Sequence, residues 1–173
     1  AFARAAARSH DVVVLTRERF RRAISAELEA DPELAAHLHP VYVSLDERLE
    51  RRKRRGFDVY WYYALWQREA ASIIRGLHQE KPFDIGHHVT FASDWLPCGL
   101  VDVPGIPMVW GPVGGSTTTP PPLRRWIGRR ASLGESARSL LSAAARGMWG
   151  DRAARRARVV VAMNDDVARR FAS

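Results

Sequence analysis

Short apolar runs alternate with longer stretches of helical spacing along the chain. Five of the short runs are rich in Val or Ile, or end in polar turn residues, and they predict strands. Apolar runs that do not alternate with polar residues indicate strands that are covered on both faces. The predicted strands are 11–16, 41–45, 84–88, 107–110 and 159–163.

Stretches with apolar residues at three- and four-residue steps predict helices between these strands. They cover 2–8, 59–78, 133–156 and 165–171, and Asn164 is expected to cap the last one. Strands that alternate with helices favour an α/β fold with right-handed crossovers. We therefore predict a Rossmann-like, mostly parallel sheet with helices on both faces.

The start of the chain departs from the usual order of such a fold. A doubly wound domain begins with a strand, a glycine-rich turn and a helix. This chain begins in a stretch of helical character, AFARAAAR. We therefore expect the opening strand to be missing from 1–173, which is otherwise predicted to form one domain.

Cysteine content and hydropathy bear on the cellular compartment. Cys98 is the single cysteine, so no intrachain disulfide forms. Such a composition is typical of a reducing compartment, and we expect a cytoplasmic protein. No run of 18 apolar residues predicts a transmembrane helix, and the first residues lack the apolar core of a signal peptide.

Two segments carry residues suited to binding, FDIGHHVTFASDWLP at 83–97 and PMVWGPVGGS at 107–116. Each is a predicted strand that runs into polar or glycine residues. Because the carboxyl ends of parallel strands share one edge, ligands bind in the crevice there. Histidine can hydrogen-bond a sugar hydroxyl, and glycine lets backbone amides approach a ligand. The predicted site residues are His87, His88, Thr90, Gly111, Pro112, Val113, Gly114, Gly115 and Ser116.

Simpler interpretations remain open for these residues. The histidine pair is compatible with a hydrogen-bonded scaffold, and GPVGG with an ordinary turn, since it matches neither the Walker pattern nor GxGxxG. TTTPPP, at 117–122, predicts a stiff loop without helix. A metal site is not expected: His87 and His88 would face opposite sides of a strand, and His37 and His39 have no carboxylate in view.

The two segments together resemble the amino-terminal domain of family 4 glycosyltransferases, which are retaining enzymes of the GT-B fold. The resemblance rests on D-x-x-H-H-x-T-F in the first segment followed by W-G-P-V-G-G in the second. It runs from the opening helix through DVVVLTR to VVVAMNDD and covers essentially the whole chain. It implies that 1–173 is the acceptor-side half of a GT-B enzyme.

The resemblance also implies a reaction and roles for residues. The enzyme would transfer a sugar from a nucleotide-sugar to a glycan or lipid-linked acceptor, in cell-envelope glycan, glycolipid or polysaccharide synthesis, with no metal or other cofactor. His88 would be the catalytic residue that reaches the donor sugar, with His87 the alternative if the register shifts by one. The GPVGG segment, 111–115, would line the acceptor side of the cleft.

The chain departs from the family pattern in two places. We expect neither the family's opening strand with its glycine-rich loop nor its carboxy-terminal nucleotide-sugar domain within 1–173. The signature of that domain is a pair of glutamates eight positions apart, and no glutamates here have that spacing. The resemblance therefore implies that this chain alone transfers no sugar.

The net charge of +8 comes almost entirely from arginine, with 25 Arg and two Lys. It supports an alternative function, a basic Rossmann-like binding module for nucleic acid or anionic membrane without catalysis. Arginine-rich stretches lie at 51–55, 124–130 and 152–158, but no known nucleic-acid motif accompanies them, so nucleic acid is not an expected partner. LRRWIGRR, at 123–130, is compatible with attachment to an anionic membrane surface, at the inner face of the plasma membrane, but an ordinary solvated helix is the favoured interpretation of this segment alone.

Overall fold

The computed structural model of the chain describes residues 2–46, 48–49, 58–89, 91–115, 117, 120–124, 126 and 128–172. It is an α/β structure with small parallel sheets and helices, and the chain divides into two compact units, Ala1–Ala70 and Ala71–Ser173. Every strand pair is parallel, as the alternation of strands and helices predicts. Within the described part of the chain, no helix has the length and apolar character needed to cross a bilayer.

The first unit is built around a two-stranded parallel sheet. Helix α1 (Phe2–Ala6) precedes β1 (Val12–Arg17), which pairs with β2 (Leu38–Val43) in a continuous register. The prediction for β1 is confirmed to within one residue. Strand β2 begins three residues before the predicted start and includes Pro40, which lies opposite Val14 of β1. Proline has no backbone N–H to donate, but the described pairing of β2 is with β1 alone, and a strand paired on one side tolerates this loss.

Two helices between these strands were not predicted. A short 3₁₀ turn (Glu18–Phe20) leads into α2 (Arg21–Ala30), and α3 (Pro32–His37) follows after one residue. The Asp31 side chain accepts a hydrogen bond from the amide of Leu34 at 3.0 Å, and Pro32 occupies the first turn of α3. The Asp-Pro pair is a recognisable start signal for a helix, and the sequence therefore did contain this information.

The long aromatic helix α4 (Asp58–Glu80) confirms the predicted helix 59–78 and crosses the boundary between the units. Part of its aromatic group packs in the core of the first unit, as the helical spacing predicts, whereas Tyr60 and Leu65 are exposed. Tyr62, Tyr63 and Trp66 are buried, and the indole Nε1 of Trp66 donates to the carbonyl of Val43 at 3.0 Å. This contact fixes the helix against the end of β2.

The second unit contains a three-stranded parallel sheet in the order β3-β4-β5. The strands are β3 (Gly86–His88), β4 (Met108–Val113) and β5 (Val159–Ala162), with a 3₁₀ turn (Gly99–Asp102) between the first two. Strands β3 and β5 lie within the predicted strands 84–88 and 159–163, whereas β4 overlaps the predicted strand 107–110 and extends three residues beyond it. One face of the sheet packs on a core formed by Cys98, Leu100, Met108, Trp110, Val113, Ala153 and Val167.

Helices of the second unit connect β4 to β5 and close the chain. They are α5 (Pro121–Arg124), α6 (Arg129–Ala145), a π-helical stretch (Arg146–Gly150), α7 (Asp151–Arg156) and α8 (Asp165–Phe171). The single helix predicted at 133–156 thus begins four residues earlier, at Arg129, and contains a π-helical turn at Arg146–Gly150 between α6 and α7. The ring of Phe171 meets Trp110 edge-on, with 5.4 Å between the centroids, which holds α8 against the sheet.

Two of these helix ends correct or confirm a prediction. The 117–122 run was expected to exclude a helix, but α5 begins at Pro121, because proline is compatible with the first turn, where no intrahelical donor is required. The side chain of Asn164 accepts from the amide of Val167 at 2.9 Å, which confirms the predicted cap of α8. The arginine run 51–55 lies outside the described residues.

Candidate functional site

The histidine and glycine segments lie side by side at the carboxyl ends of β3 and β4. The two strands pair in parallel with His87 opposite Val109 and His88 opposite Trp110. Strand β3 ends at His88, and β4 ends at Val113, one residue before Gly114. The described residues of both segments, His87, His88 and 111–115, are therefore neighbours at one edge of the sheet, and their role in binding stays a prediction.

His87 links the two strands through its side chain. Its Nε2 lies 2.8 Å from the carbonyl oxygen of Gly111 and donates to it in the tautomer that carries a proton on this nitrogen. The backbone of Gly111 has a φ of +133°, and a Cβ there would collide with the carbonyl of Val161 in β5. Glycine at this position therefore allows β4 to approach β5 closely.

His88 points to the other side of β3, as adjacent residues of a strand must. Its imidazole is half-buried. Burial, and to a smaller extent the neighbouring His87, lower the pKa of His88 from 6.5 to about 4. The ring is therefore neutral at physiological pH, where it can both donate and accept a hydrogen bond.

The predicted glycine-rich loop begins later than expected. Gly111, Pro112 and Val113 belong to β4, which was predicted to end at Trp110. The strand continues because β5 follows it with a shift of register, pairing Val113 with Ala162. Two further backbone bonds then extend the ladder, from Gly114 N to Ala92 O and from Asp94 N to Gly114 O, each at 2.9 Å.

Asp94 is a buried charged residue of this edge that the motif analysis did not single out. Its side chain is fully buried, and Arg146 of the π-helical stretch donates from Nε to its Oδ2 at 2.5 Å. A buried carboxylate requires such a partner, because removing a charge from water costs several kcal/mol. Asp94 stands in the segment FASDWLP, and an acidic residue within an apolar run is the signal that could have identified it.

Two glycines leave room for Asp94. Gly115 has a φ of +111°, and a Cβ on it would overlap the Asp94 carboxylate. A Cβ on Gly150 would overlap the Asp94 carbonyl oxygen. Asp94 is therefore the point where three segments meet: the segment after β3, the end of β4 and the π-helical stretch. These contacts fix the position of the Gly114–Gly115 backbone.

Asn164 completes this edge of the sheet from β5. Its Oδ1 caps α8, while its Nδ2 lies 3.5 Å from the carbonyl oxygen of Gly115. Met163 N also donates to Val113 O at 2.8 Å. The ends of all three strands are thus connected through hydrogen bonds that involve the glycine segment.

Two predicted site residues, Thr90 and Ser116, lie outside the described residues. A shallow cavity of about 310 Å³ occurs at the opposite edge of the sheet, lined by residues 105–108 and 156–158. It lies at the amino ends of β4 and β5, and it contains none of the predicted site residues.

Among the residues that the structure describes, no group of three or more His, Cys, Asp or Glu could hold a metal ion. The expectation that His37 has no carboxylate nearby is wrong. Its Nδ1 lies 2.9 Å from Oδ1 of Asp11, and both side chains are exposed. The two residues come together because α3 returns the chain to the start of β1, which the sequence spacing of 26 residues does not reveal.

Comparisons with known proteins give no relative for this chain. No family model, no curated protein and no solved structure matches it. The functional conclusion therefore depends on the motifs, the strand topology and the geometry of the carboxyl edge of β3, β4 and β5.

Proposed function

We propose that this chain is the acceptor-side domain of a retaining glycosyltransferase of family 4 with the GT-B fold. In this proposal the enzyme transfers a sugar from a nucleotide-sugar to a glycan or lipid-linked acceptor, and the nucleotide is held by a second domain. His88 is the catalytic histidine, and the 111–116 segment lines the acceptor side of the cleft. The proposal carries no metal or other cofactor.

The strand pieces support the fold part of the proposal. The first unit contains the parallel pair β1-β2, and the second contains the parallel sheet β3-β4-β5. Parallel strands that alternate with helices are typical of the Rossmann-like domains of which GT-B enzymes are built.

The observation that carries the proposal is the parallel pairing of β3 with β4. It joins the histidine segment to the glycine segment, with 2.8 Å between His87 Nε2 and Gly111 O. The resemblance of D-x-x-H-H-x-T-F assigns the sugar contact to His88, and the contact of His87 with Gly111 is compatible with that assignment. A neutral His88 suits hydrogen bonding to a hydroxyl, since neutral imidazole offers one donor and one acceptor.

The chemistry explains why a second domain is part of the proposal. Glycosyl transfer requires the anomeric carbon and the acceptor hydroxyl at near-attack distance, together with stabilisation of the charge on the departing nucleotide. The edge formed by His88, Gly114 and Gly115 supplies one wall of such a cleft. In the proposal, the groups that hold the nucleotide phosphates come from the other wall.

The test uses the complete gene product that contains this chain, obtained by reading the genomic frame through both ends of it. Nucleotide release is measured with a pool of nucleotide-sugars, for the wild type and for His88→Ala. We expect His88→Ala to lower turnover by about 10²-fold, the usual size of the effect of a positioned acid–base or hydrogen-bonding group. The matched control is His37→Ala, whose exposed imidazole pairs with Asp11 and should leave turnover unchanged.

The outcomes separate the parts of the proposal. Equal turnover of wild type and His88→Ala would remove His88 from the site. Efficient transfer by residues 1–173 alone would overturn the two-domain assignment. No nucleotide release by the complete product, together with salt-dependent binding to nucleic acid, would replace the enzyme with the basic binding module.

A further inference from the structure

The cavity at the amino ends of β4 and β5 lies at the edge of the sheet opposite His88 and the glycine segment. Its volume is about 310 Å³, and it is lined by 105–108 and 156–158, all of them in the second unit. Ligand pockets of proteins begin at about this size, so the cavity suits a small ligand. The lining residues that the structure describes include two arginines, Arg156 and Arg158, and no acidic residue.

Arg156 is held in place by contacts that do not neutralise its charge. Its side chain is partly buried, and Nη2 donates to the carbonyl oxygens of Val103 and Ile106, each at 3.2 Å. A carbonyl oxygen satisfies an N–H group but carries only a partial charge, so the guanidinium keeps its positive charge. The two contacts also fix the side chain before a ligand arrives, which lowers the entropy cost of binding.

The lack of a carboxylate partner distinguishes the arginines of the cavity from others in the same unit. Those others form the pairs Arg146–Asp94, Arg152–Asp102 and Arg170–Asp151. Among the described residues, no ion pair includes Arg156 or Arg158. Charges that leave water are normally paired, because an isolated charge in a less polar environment is costly. The cavity therefore carries two positive charges that its own walls do not balance.

Arg158 supplies the second charge from the solvent side. Its backbone amide donates to the carbonyl of Met108 at 2.7 Å, just before the ladder of β4 and β5 begins, so its main chain is fixed while its side chain is exposed. A guanidinium presents its N–H groups in a planar fork that matches the oxygens of a phosphate. Two guanidinium groups without an acidic neighbour favour a dianion over a single carboxylate, because a dianion balances both charges.

We propose that this cavity binds a phosphate dianion between Arg156 and Arg158, either as the free ion or as the monoester of a small molecule. Nη2 of Arg156 keeps its carbonyl contacts, while the other N–H groups of Arg156 and the guanidinium of Arg158 donate to the phosphate oxygens. The site is an accessory one, because the substrates of open α/β sheets bind at the carboxyl ends of the strands. The inference goes beyond the proposed function and does not depend on glycosyl transfer.

The experiment is an NMR titration of the isotope-labelled 173-residue protein with inorganic phosphate at constant ionic strength. We expect the backbone amides of 105–108 and 156–158 to shift together, with a dissociation constant at or below about 1 mM. Glycerol phosphate is the ligand of a second titration. Tighter binding of glycerol phosphate than of inorganic phosphate would assign the site to a phosphate monoester, and equal or weaker binding would assign it to the free ion.

Three variants test the role of the arginine pair. Arg158→Gln should weaken phosphate binding by at least about tenfold, the usual size of a lost charged hydrogen bond, and should leave the unfolding midpoint unchanged because the side chain is exposed. Arg158→Lys keeps the charge without the planar fork and should bind with intermediate affinity. The matched control is Arg155→Gln: Arg155 is exposed in the last turn of α7 but does not line the cavity, so this variant should bind as the wild type does.

Several results would overturn the inference. One is the absence of shifts at the cavity up to about 10 mM phosphate, and another is equal affinity of the wild type and Arg158→Gln. Equal weakening by Arg155→Gln and Arg158→Gln, together with displacement of phosphate by single-stranded DNA, would assign 152–158 to nucleic acid instead. None of these measurements involves nucleotide release by the complete gene product, so the two proposals succeed or fail separately.

Discussion

Arg146 donates from Nε to Oδ2 of Asp94 at 2.5 Å, and the two residues are 52 positions apart in the sequence. Asp94 is fully buried, and the side chain of Arg146 is 17% exposed. The pair joins the segment after β3 to the π-helical stretch after α6. Asp94 also bonds through its backbone to Gly114, so the pair holds the end of β4 from both sides.

Substitution of Asp94 should destabilise the second unit strongly. Asp94→Asn leaves the Arg146 charge at a largely buried position without its counter-charge. Breaking a buried pair in this way costs about 3–5 kcal/mol. Urea unfolding followed by tryptophan fluorescence, with Trp110 buried in the same unit, measures the loss.

A second Arg–Asp pair of the same unit provides the matched control. Asp102 accepts from Arg152 at 2.8 Å, but both side chains are about half exposed. Asp102→Asn should therefore cost less than about 1 kcal/mol, as exposed pairs do. Equal losses for the two substitutions would show that burial of Asp94 does not determine the energetics.

Gly115→Ala should destabilise the fold by about 2 kcal/mol or more. The φ of +111° at Gly115 is strained for any L side chain, and the added methyl group would overlap the Asp94 carboxylate. The midpoint of thermal unfolding is the measurement.

Gly134→Ala is the control for Gly115→Ala and should act in the opposite direction. A Cβ at Gly134 of α6 meets no atom within 4 Å. Alanine there should stabilise the helix by roughly 0.5–1 kcal/mol, because it restricts the unfolded chain and favours helix. A stabilising effect of Gly115→Ala would show that the Asp94 carboxylate packs less closely against Gly115 than the structure indicates.

The elements with strong local signals could be predicted from the sequence. Strand β1 has an unbroken apolar run, α4 has aromatic residues at helical spacing, and Asn164 stands directly before α8. In each case the local pattern and the final packing favour the same structure. Consistency between the two levels is what makes such elements predictable.

The features that the sequence analysis missed depend on contacts between residues that are far apart in the sequence. The strand was predicted to end at Trp110, before the GPVGG segment, yet β5 extends the ladder of β4 to Val113. Asp94 was overlooked because Arg146 becomes its neighbour only through α6 and the π-helical stretch. Neither contact leaves a periodic trace in the sequence, since both join residues of separate elements.

Cys98 should react slowly with thiol reagents in the folded protein. Burial raises the pKa of Cys98 to about 12, and the Sγ lies 4.0 Å from Sδ of Met108 inside the core. Because the thiolate is the reactive form, its scarcity and its burial together should slow the reaction with DTNB by at least about 100-fold relative to the unfolded chain. Comparable rates with and without urea would contradict the buried position.

His88 should make the stability of the fold depend on pH between about 6.5 and 4. Burial lowers the pKa of His88 in the folded state to about 4, so the unfolded chain takes up this proton first as the pH falls below 6.5. The contribution of neutral His88 is thus complete above that range and is lost progressively as the pH approaches 4. From pH 7 to pH 5 the loss should be about 1–2 kcal/mol, measured by urea unfolding at each pH.

His88→Gln isolates this contribution from the titration of all other groups. Glutamine keeps a polar side chain of similar size without a proton that titrates in this range. The difference in unfolding free energy between wild type and variant should therefore shift by about 1–2 kcal/mol towards the variant as the pH falls from 7 to 5. A difference that stays constant across the range would mean that His88 is solvated in the folded protein. The neutral, half-buried histidine required at the candidate sugar site would then be lost.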